Sequence, residues 1–417
     1  MLPLAIHSHH TRPRQILMNQ LLHAPHSRPQ RHARLGWLAL CLLLCAVACQ
    51  GAATTPTVTP AAATVPATSV AITAPTETPP CPPPGSSHLL AFSADGAVLA
   101  YGYQESTRSR LYLLDMAAAR AGTVGALRLV ADDGWAFSWD VAEDRLVYAG
   151  TSGRTLNLLN ANGEAAGEID IGWQHAFPAW SPTGDQVALI HTDRRRDEAG
   201  LAASGLMLLT PDGDSDPLMR FSLRQLATLR GDAAGTARDI FNSGPAWSPD
   251  GRDLAVVAAD GLYWLAAAGG DPVRLTGEDI CAQQPAWSPS GQRIAFLSAP
   301  LNAGIDAGWG LQTTQPDGSG QVTLVSNQTL HLRQFAWSPD GAHIAFIAAA
   351  APAEAALYLI KVDGDSLTAL SAPVTGAAVA AAWLPDGSAI AVLVGNTLGL
   401  IDLGSAGWSR LGTLPQP

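Results

Sequence analysis

The chain has 417 residues, room for two or three ordinary domains or one large repeat array, and only 14% of them are charged, against roughly a quarter in typical globular proteins. The net charge is −11, Lys361 is the sole lysine, and five of the 24 basic residues (Arg12, Arg14, Arg28, Arg31, Arg34) crowd into the first 34 positions. No basic stripe remains for DNA, RNA or anionic lipid, so nucleic-acid binding is excluded as an expectation.

Residues 1–34 hold Arg and His but no Asp or Glu, and Leu35–Ala48 is an uncharged, mostly apolar run that ends in Ala46-Val47-Ala48-Cys49. This is the layout of a signal peptide over 1–48, with Met18 as an alternative start. Fourteen residues at 1.5 Å each reach only about 21 Å, less than the hydrocarbon core of a bilayer. Small residues directly before a cysteine resemble the lipobox of bacterial lipoproteins, which implies Cys49 as the lipidated residue. An ordinary secretory cleavage nearby is the alternative. Residues 51–84 contain nine Thr, nine Pro and eight Ala, with Glu77 as the only charge. Such a composition builds no core, and 49–85 is expected to be a linker between lipid and folded domain.

Residues 86–417 repeat one phrase. It stands as Pro178-Ala179-Trp180-Ser181-Pro182-Thr183-Gly184, Pro245-Ala246-Trp247-Ser248-Pro249-Asp250-Gly251, Pro285-Ala286-Trp287-Ser288-Pro289-Ser290-Gly291 and Phe335-Ala336-Trp337-Ser338-Pro339-Asp340-Gly341. A fifth copy, Ala382-Trp383-Leu384-Pro385-Asp386-Gly387, lacks only the serine. Two degenerate copies come first, around Phe92 and Trp139, and in the latter Val141-Ala142-Glu143 replaces the turn. An apolar triplet starts seven residues after every aromatic anchor, as in Ile294-Ala295-Phe296. The anchors at 92, 139, 180, 247, 287, 337 and 383 are spaced by 47, 41, 67, 40, 50 and 46 residues, near the period of a four-stranded propeller blade. Ser-Pro-Asp-Gly reads as a hairpin turn: Pro presets φ, Asp tolerates the second corner, and Gly accepts the left-handed conformation. Further strand-like segments, such as 309–314 and 321–326, bring each unit to four strands. The spacing predicts an all-β propeller of about seven four-stranded blades, with six as the alternative. Trp139, Trp180, Trp247, Trp287, Trp337 and Trp383 are then wedges between blades rather than a ligand platform. The chain would start on an innermost strand near Leu89 and end on an outermost one near Leu411–Leu414, so closure would rest on the first blade packing against the last.

The Pro-Ala-Trp-Ser-Pro-Asp-Gly phrase with its Ile-Ala-Phe strand resembles the TolB-like, PD-repeat branch of WD40-like β-propellers, over nearly all of 86–417. That resemblance implies relatives that act as envelope components, as propeller gates of prolyl oligopeptidase-like enzymes, and as surface lipoproteins. TolB itself closes six blades behind an α/β domain, whereas a linker stands in that place here.

Catalytic signatures are sparse. Neither C-x-x-C nor H-E-x-x-H nor G-x-S-x-G occurs, so no metal and no cofactor are expected. With Cys41 and Cys45 in the leader and Cys49 lipidated, Cys81 and Cys281 remain as a possible disulfide, the alternative being two unpaired thiols. Loops leading into innermost strands are the usual ligand face of a propeller. Here they carry Trp173 and His175, then Arg238, Asp239 and Phe241, then Glu278, Asp279 and Gln283, then His331 and Arg333. Mixed charge, amide and aromatic groups suit a peptide or glycan, although the same groups would equally cap strand ends. The 67-residue gap between Trp180 and Trp247 marks an insertion, expected to hold a solvated loop at 193–198 and a short helix near 223–230. Asp212–Asp216 and Asp363–Asp365 read as hairpin turns rather than calcium loops.

Two functions are open at this stage. The favoured one is a non-enzymatic, lipid-anchored, extracytoplasmic monomer that binds an envelope or surface protein, peptide or glycan. The alternative is a propeller lyase or hydrolase using Glu278, Asp279, His175 and His331.

Overall fold

The computed structural model describes residues 88–104, 109–123, 125–150, 155–171, 174–196, 202–210, 215–221, 243–258, 261–301, 308–328, 330–349, 355–370 and 376–414. They form seven four-stranded antiparallel sheets. Blade one is β1 (His88–Phe92), β2 (Val98–Gln104), β3 (Ser109–Asp115) and, after the helix α1 (Met116–Arg120), β4 (Leu127–Ala131). Blade two is β5 (Gly134–Asp140), β6 (Arg145–Gly150), β7 (Thr155–Asn160) and β8 (Ala165–Asp170). Blade three is β9 (Gln174–Trp180), β10 (Val187–Arg196), β11 (Ala202–Leu209) and β12 (Ser215–Phe221). Blade four is β13 (Ala246–Trp247), β14 (Asp253–Ala258), β15 (Gly261–Ala266) and β16 (Val273–Arg274). Blade five is β17 (Ile280–Trp287), β18 (Ile294–Pro300), β19 (Gly310–Thr314) and β20 (Val322–Val325). Blade six is β21 (His331–Trp337), β22 (His343–Ala349), β23 (Ala356–Lys361) and β24 (Thr368–Leu370). Blade seven is β25 (Ala378–Trp383), β26 (Ala389–Val394), β27 (Thr397–Asp402) and β28 (Trp408–Thr413). The blade number is seven, not six.

Every sheet pairs its strands in sequence order, so no blade is shared between the chain ends. Closure rests on one hydrophobic cluster that joins blade one (Leu90, Leu99, Tyr101, Tyr112) to blade seven (Ala380, Leu393). Tyr101, Tyr103 and Tyr112 stack along this seam, with ring centroids 5.7 to 6.4 Å apart. Large flat rings on one side meet small alanines on the other, the size complementarity that fills an interface without voids.

The repeated tryptophan joins each blade to its predecessor. Its indole N–H donates to the carbonyl one residue before the previous anchor: Trp139 to Ala91, Trp247 to Ala179, Trp287 to Ala246, Trp337 to Ala286 and Trp383 to Ala336, at 3.0 to 3.1 Å. A buried indole therefore keeps its polar atom satisfied while the ring fills the space between sheets.

Blade two shows what happens when the phrase decays. Ser138 stands where the other copies have Ala, and its Oγ accepts from the Trp180 backbone N–H at 3.0 Å. The Trp180 indole nitrogen is buried with no hydrogen-bond partner among the described atoms. Asp140, fully buried, replaces the motif serine and receives two bonds from Arg145, at 3.1 and 2.8 Å. The guanidinium thus held lies 5.2 Å from the Trp180 ring centroid, a cation–π contact in place of the missing bond. Asp144, at φ +50, is the left-handed residue of this turn, one position later than the glycine of the intact copies.

The intact turns share one hydrogen-bond pattern. In the copy at Ser248, Gly251 N–H donates to the Ser248 carbonyl at 2.9 Å, the hydroxyl donates to Asp250 at 2.6 Å, and the same oxygen accepts from Asp253 N–H at 2.9 Å. Gly291, at φ +70, would place a Cβ 3.6 Å from Pro249 of the preceding turn, so the turns themselves touch around the ring. Hydrogen bonds favour the ionised form of these carboxylates. Asp250 is lowered below the usual carboxylate value by the Ser248 hydroxyl and then the Arg252 N–H, and Asp340 by Ser338 and then Ala342. Asp95 is lowered by the Ala97 N–H and then Ser93.

One expectation is corrected. The stretch from Asp193 is not simply a solvated loop: β10 continues through Arg196, which pairs with Ala202 after a register shift. The charges from Asp193 to Arg196, one acid followed by three arginines, thus lie on a strand and not in a loop. The expected helix near 223–230 lies outside the described residues.

Two outcomes follow. Trp287→Phe and Trp180→Phe remove the same ring volume, but only the first removes a made hydrogen bond, so urea unfolding should find Trp287→Phe the more destabilised by about 1 kcal/mol. The depressed turn carboxylates contribute stability that is present above their unfolded value and lost as pH falls through their lower folded values. Melting temperature should hold from pH 7 to about 5 and fall below about 4, with a smaller fall in Ser248→Ala/Ser338→Ala.

Candidate functional site

In every blade the first strand runs from one mouth of the ring toward the turn that joins it to the second strand, so the leading ends of all innermost strands surround the same mouth. Blades five and six supply the best-defined arc of it. Glu278 and Asp279 are exposed just before β17, and His331 is exposed at the first residue of β21. Arg333 is half-buried two residues further on. The His331 ring lies against Gly308, where any Cβ would collide with it. The adjoining Leu332 N–H donates to the Trp309 carbonyl at 3.0 Å, fixing this corner between the two blades. Two acids, an imidazole and a guanidinium are thus displayed on neighbouring strand ends.

Gln283 behaves differently from the sequence expectation. It is fully buried, with both amide atoms lacking a hydrogen-bond partner among the described atoms, and does not reach solvent at the mouth. Its neighbour Gln284 faces the channel wall instead. A bulge between Gln283 and Ala286 puts Gln284 at φ +48, a left-handed conformation that a non-glycine residue adopts only under constraint. The constraint is visible: Gln284 N–H donates to Ser243 Oγ of the blade-four segment at 3.0 Å, and Gln284 Nε2 donates to the Arg333 carbonyl of blade six at 3.1 Å. One blade further, Gln334 Oε1 accepts from Ala381 N–H at 3.3 Å. These amides link four consecutive blades along the wall beneath the mouth. Sequence reasoning passed over them, although a signal was there, since both glutamines stand three residues before their Trp. Phe177, also three before its Trp, has φ +55 and fills the space over Gly244.

His175 lies on β9 and is the register partner of His191 on β10, two histidines that the sequence left scattered. Trp173, Arg238, Asp239 and Phe241 lie outside the described residues, as do Cys49 and Cys81. Cys281, the second residue of β17, is buried and disulfide-bonded. The six repeat tryptophans all lie at blade interfaces: Trp139, Trp180, Trp247 and Trp287 are buried, and Trp337 and Trp383 half-buried against their clusters.

Among the described residues no group of three or more His, Cys, Asp and Glu is placed to hold a metal ion. Asp363-Gly364-Asp365 is an ordinary hairpin turn, with Gly364 N–H on the Lys361 carbonyl at 2.9 Å and Asp365 N–H on the Asp363 carboxylate at 3.0 Å. A hollow of about 400 Å³ between blades one and two, lined in part by Asp115, Arg128 and Asn162, opens toward the turn end of the ring rather than this mouth.

No family model matches the chain, and no curated protein matches it in sequence. Solved structures do share its fold. A puromycin-hydrolyzing peptidase of Mycobacterium tuberculosis is 14% identical at a TM-score of 0.55, over 80% of this chain and 57% of that one. An oligogalacturonate lyase from Vibrio parahaemolyticus is 12% identical at 0.53, over 75% of this chain and 86% of that one. A putative TolB from Agrobacterium tumefaciens is 19% identical at 0.44, over 68% and 96%. The chain spans little more than half of the peptidase. The likenesses to the peptidase and the lyase bear on the fold alone, a propeller that hosts chemically unrelated functions.

Substitutions at the wall separate strain from bonding. Gln284→Ala keeps the left-handed residue and loses the amide, and should cost about 1–2 kcal/mol in urea unfolding, while Gln284→Gly relieves the φ and should cost less than half as much.

Proposed function

We propose that this seven-bladed propeller is an extracytoplasmic, lipid-anchored module that binds an envelope or surface protein segment or glycan at the mouth ringed by its innermost strands, without transforming it. The observation that carries the location is the Cys281 disulfide, since such bonds persist in oxidising compartments and are rare in a reducing cytosol. It agrees with the charge-poor, cysteine-terminated segment Leu35–Cys49 and the Thr/Pro/Ala-rich stretch that follows. A diacylglycerol on Cys49 would itself carry two acyl chains, the two-chain attachment that stable membrane residence needs.

The binding reading rests on the blade-five and blade-six arc. Glu278, Asp279, His331 and Arg333 offer both charge signs and an imidazole at the leading ends of β17 and β21. Such a surface matches the mixed polar character of an extended peptide or a sugar better than a single-sign polyanion. His331 and Arg333 stand on β21, and Glu278 and Asp279 in the turn that enters β17, so the groups are preorganised, which reduces the entropy cost of capture.

Two measurements test the reading. Intact mass of protein purified from bacterial membranes should show a chain starting at Cys49 with added diacylglycerol, and Cys49→Ala should move the protein to the soluble fraction; a soluble, unmodified wild-type chain sinks the anchor. Partners captured by crosslinking at the envelope should bind at least tenfold more weakly to the Glu278→Ala/Asp279→Ala/His331→Ala/Arg333→Ala variant, with its melting temperature within about 3 °C of wild type. Turnover of the captured ligand would identify an enzyme instead.

A further inference from the structure

Blade one turns two opposite charges toward blade two and keeps them apart. Asp115, which closes β3, is the register partner of Val98, and Arg128 on β4 is the register partner of Leu113. Register partners share a face of the sheet, as do residues two apart on one strand. That face looks toward blade two, since Leu113 clusters with Trp139 and Leu146. Asp115 and Arg128 are therefore diagonal neighbours on adjacent strands, about 7–8 Å apart at the backbone, within reach of each other's side chains. They do not pair. Arg128 makes no hydrogen bond or ion pair among the described residues, and Asp115 accepts on Oδ1 alone, from the Ala118 N–H at 2.9 Å, leaving Oδ2 open. Both side chains line the hollow of about 400 Å³ at the turn end, whose apolar surface comes from Val98, Leu113, Ala126 and Ala161.

The blade-two wall is shaped to the guanidinium. Gly163, at φ +74 in the β7–β8 turn, would drive a Cβ into the Arg128 guanidinium and to within 2.9 Å of Val130 Cγ1, so glycine there makes room for the arginine. The turn is held by its own bonds: Gly163 N–H donates to the Asn160 carbonyl at 2.7 Å, and Glu164 engages both polar atoms of the Asn162 amide, each at 3.0 Å. We infer that this hollow binds a free α-amino acid with an aliphatic side chain. Its ammonium donates to Asp115 Oδ2, its carboxylate accepts from the Arg128 guanidinium, and its side chain lies on Leu113, Ala126 and Ala161. Two single charges of opposite sign, unpaired across one hollow, match a dipolar ion, because a singly charged ligand would leave one of them facing nothing. The volume lies near the low end of small-molecule sites, about 300–1,000 Å³, which suits one amino acid rather than a chain. The site is at the opposite end of the ring from the mouth and stands whether or not the mouth binds a partner.

Titration calorimetry of the full chain near neutral pH tests this with four probes: L-leucine, N-acetyl-L-leucine without the ammonium, L-leucinamide without the carboxylate, and glycine without the side chain. L-leucine should bind with a Kd below about 1 mM, and each of the other three at least about tenfold more weakly. Asp115→Asn preserves the cap of α1, since Asn caps as well as Asp, and Arg128→Gln alters an exposed edge strand. Both should melt within about 3 °C of wild type and bind leucine at least about tenfold more weakly. Ala161→Leu, which fills the hollow from blade two without touching either charge, should abolish leucine binding. The Glu278→Ala/Asp279→Ala/His331→Ala/Arg333→Ala variant should bind leucine as wild type does. No leucine binding up to about 10 mM overturns the site. So does an analogue or glycine that binds as tightly as leucine, or an unchanged leucine affinity in Asp115→Asn or Arg128→Gln. Loss of leucine binding in the mouth variant would place the ligand at the mouth and overturn it as well.

Discussion

The ring depends on one contact repeated from blade to blade, an indole N–H donated backward to the carbonyl beside the previous anchor. A propeller sheet is apolar on both faces, and apolar faces alone would slide. The hydrogen bond fixes the register of one sheet on the next, because an unsatisfied buried indole costs more than the bond itself contributes. The serine–aspartate turn below it fixes the strand carrying the indole, so orientation within a blade and between blades are set by adjacent residues of a single short phrase. Blade two obeys the same constraint by other means. With the phrase eroded, the chain substitutes Arg145, clamped by buried Asp140, for the missing polar contact at Trp180.

The fold was legible because the phrase encodes local and long-range information together. Pro and Gly announce the turn, the aromatic announces the interface, and the triplet seven residues on announces the second strand. Blade number, strand count, closure by packing and the third-strand positions followed from that periodicity, and the blades confirm them. Residues around Asp193 were misread because charge suggested solvent, whereas strand continuation depends on pairing with Ala202 that charge does not report.

The mouth was legible only in part. Its location followed from topology, and Glu278, Asp279, His331 and Arg333 lie on that rim. Gln283 and Gln284 could not be ranked, since one bulge exchanges which of two adjacent amides is enclosed and which meets the wall. Bulges are set by three-dimensional crowding, and an alternating pattern read from sequence carries no sign of the extra residue. The register pairing of His175 with His191 was hidden for the same reason.

The backward direction of the indole contacts also has a bearing on how the molecule is made. A chain that emerges N-terminus first presents each acceptor carbonyl before the tryptophan that will use it. Every new blade meets a finished docking surface, and growth is templated in the order of synthesis. The first blade alone has no predecessor, and there the anchor is Phe92, which has no N–H to leave waiting. The residue that departs from the repeat is thus the one whose neighbour is the last to arrive, and the final step of assembly is an apolar seam that needs no donor held in reserve.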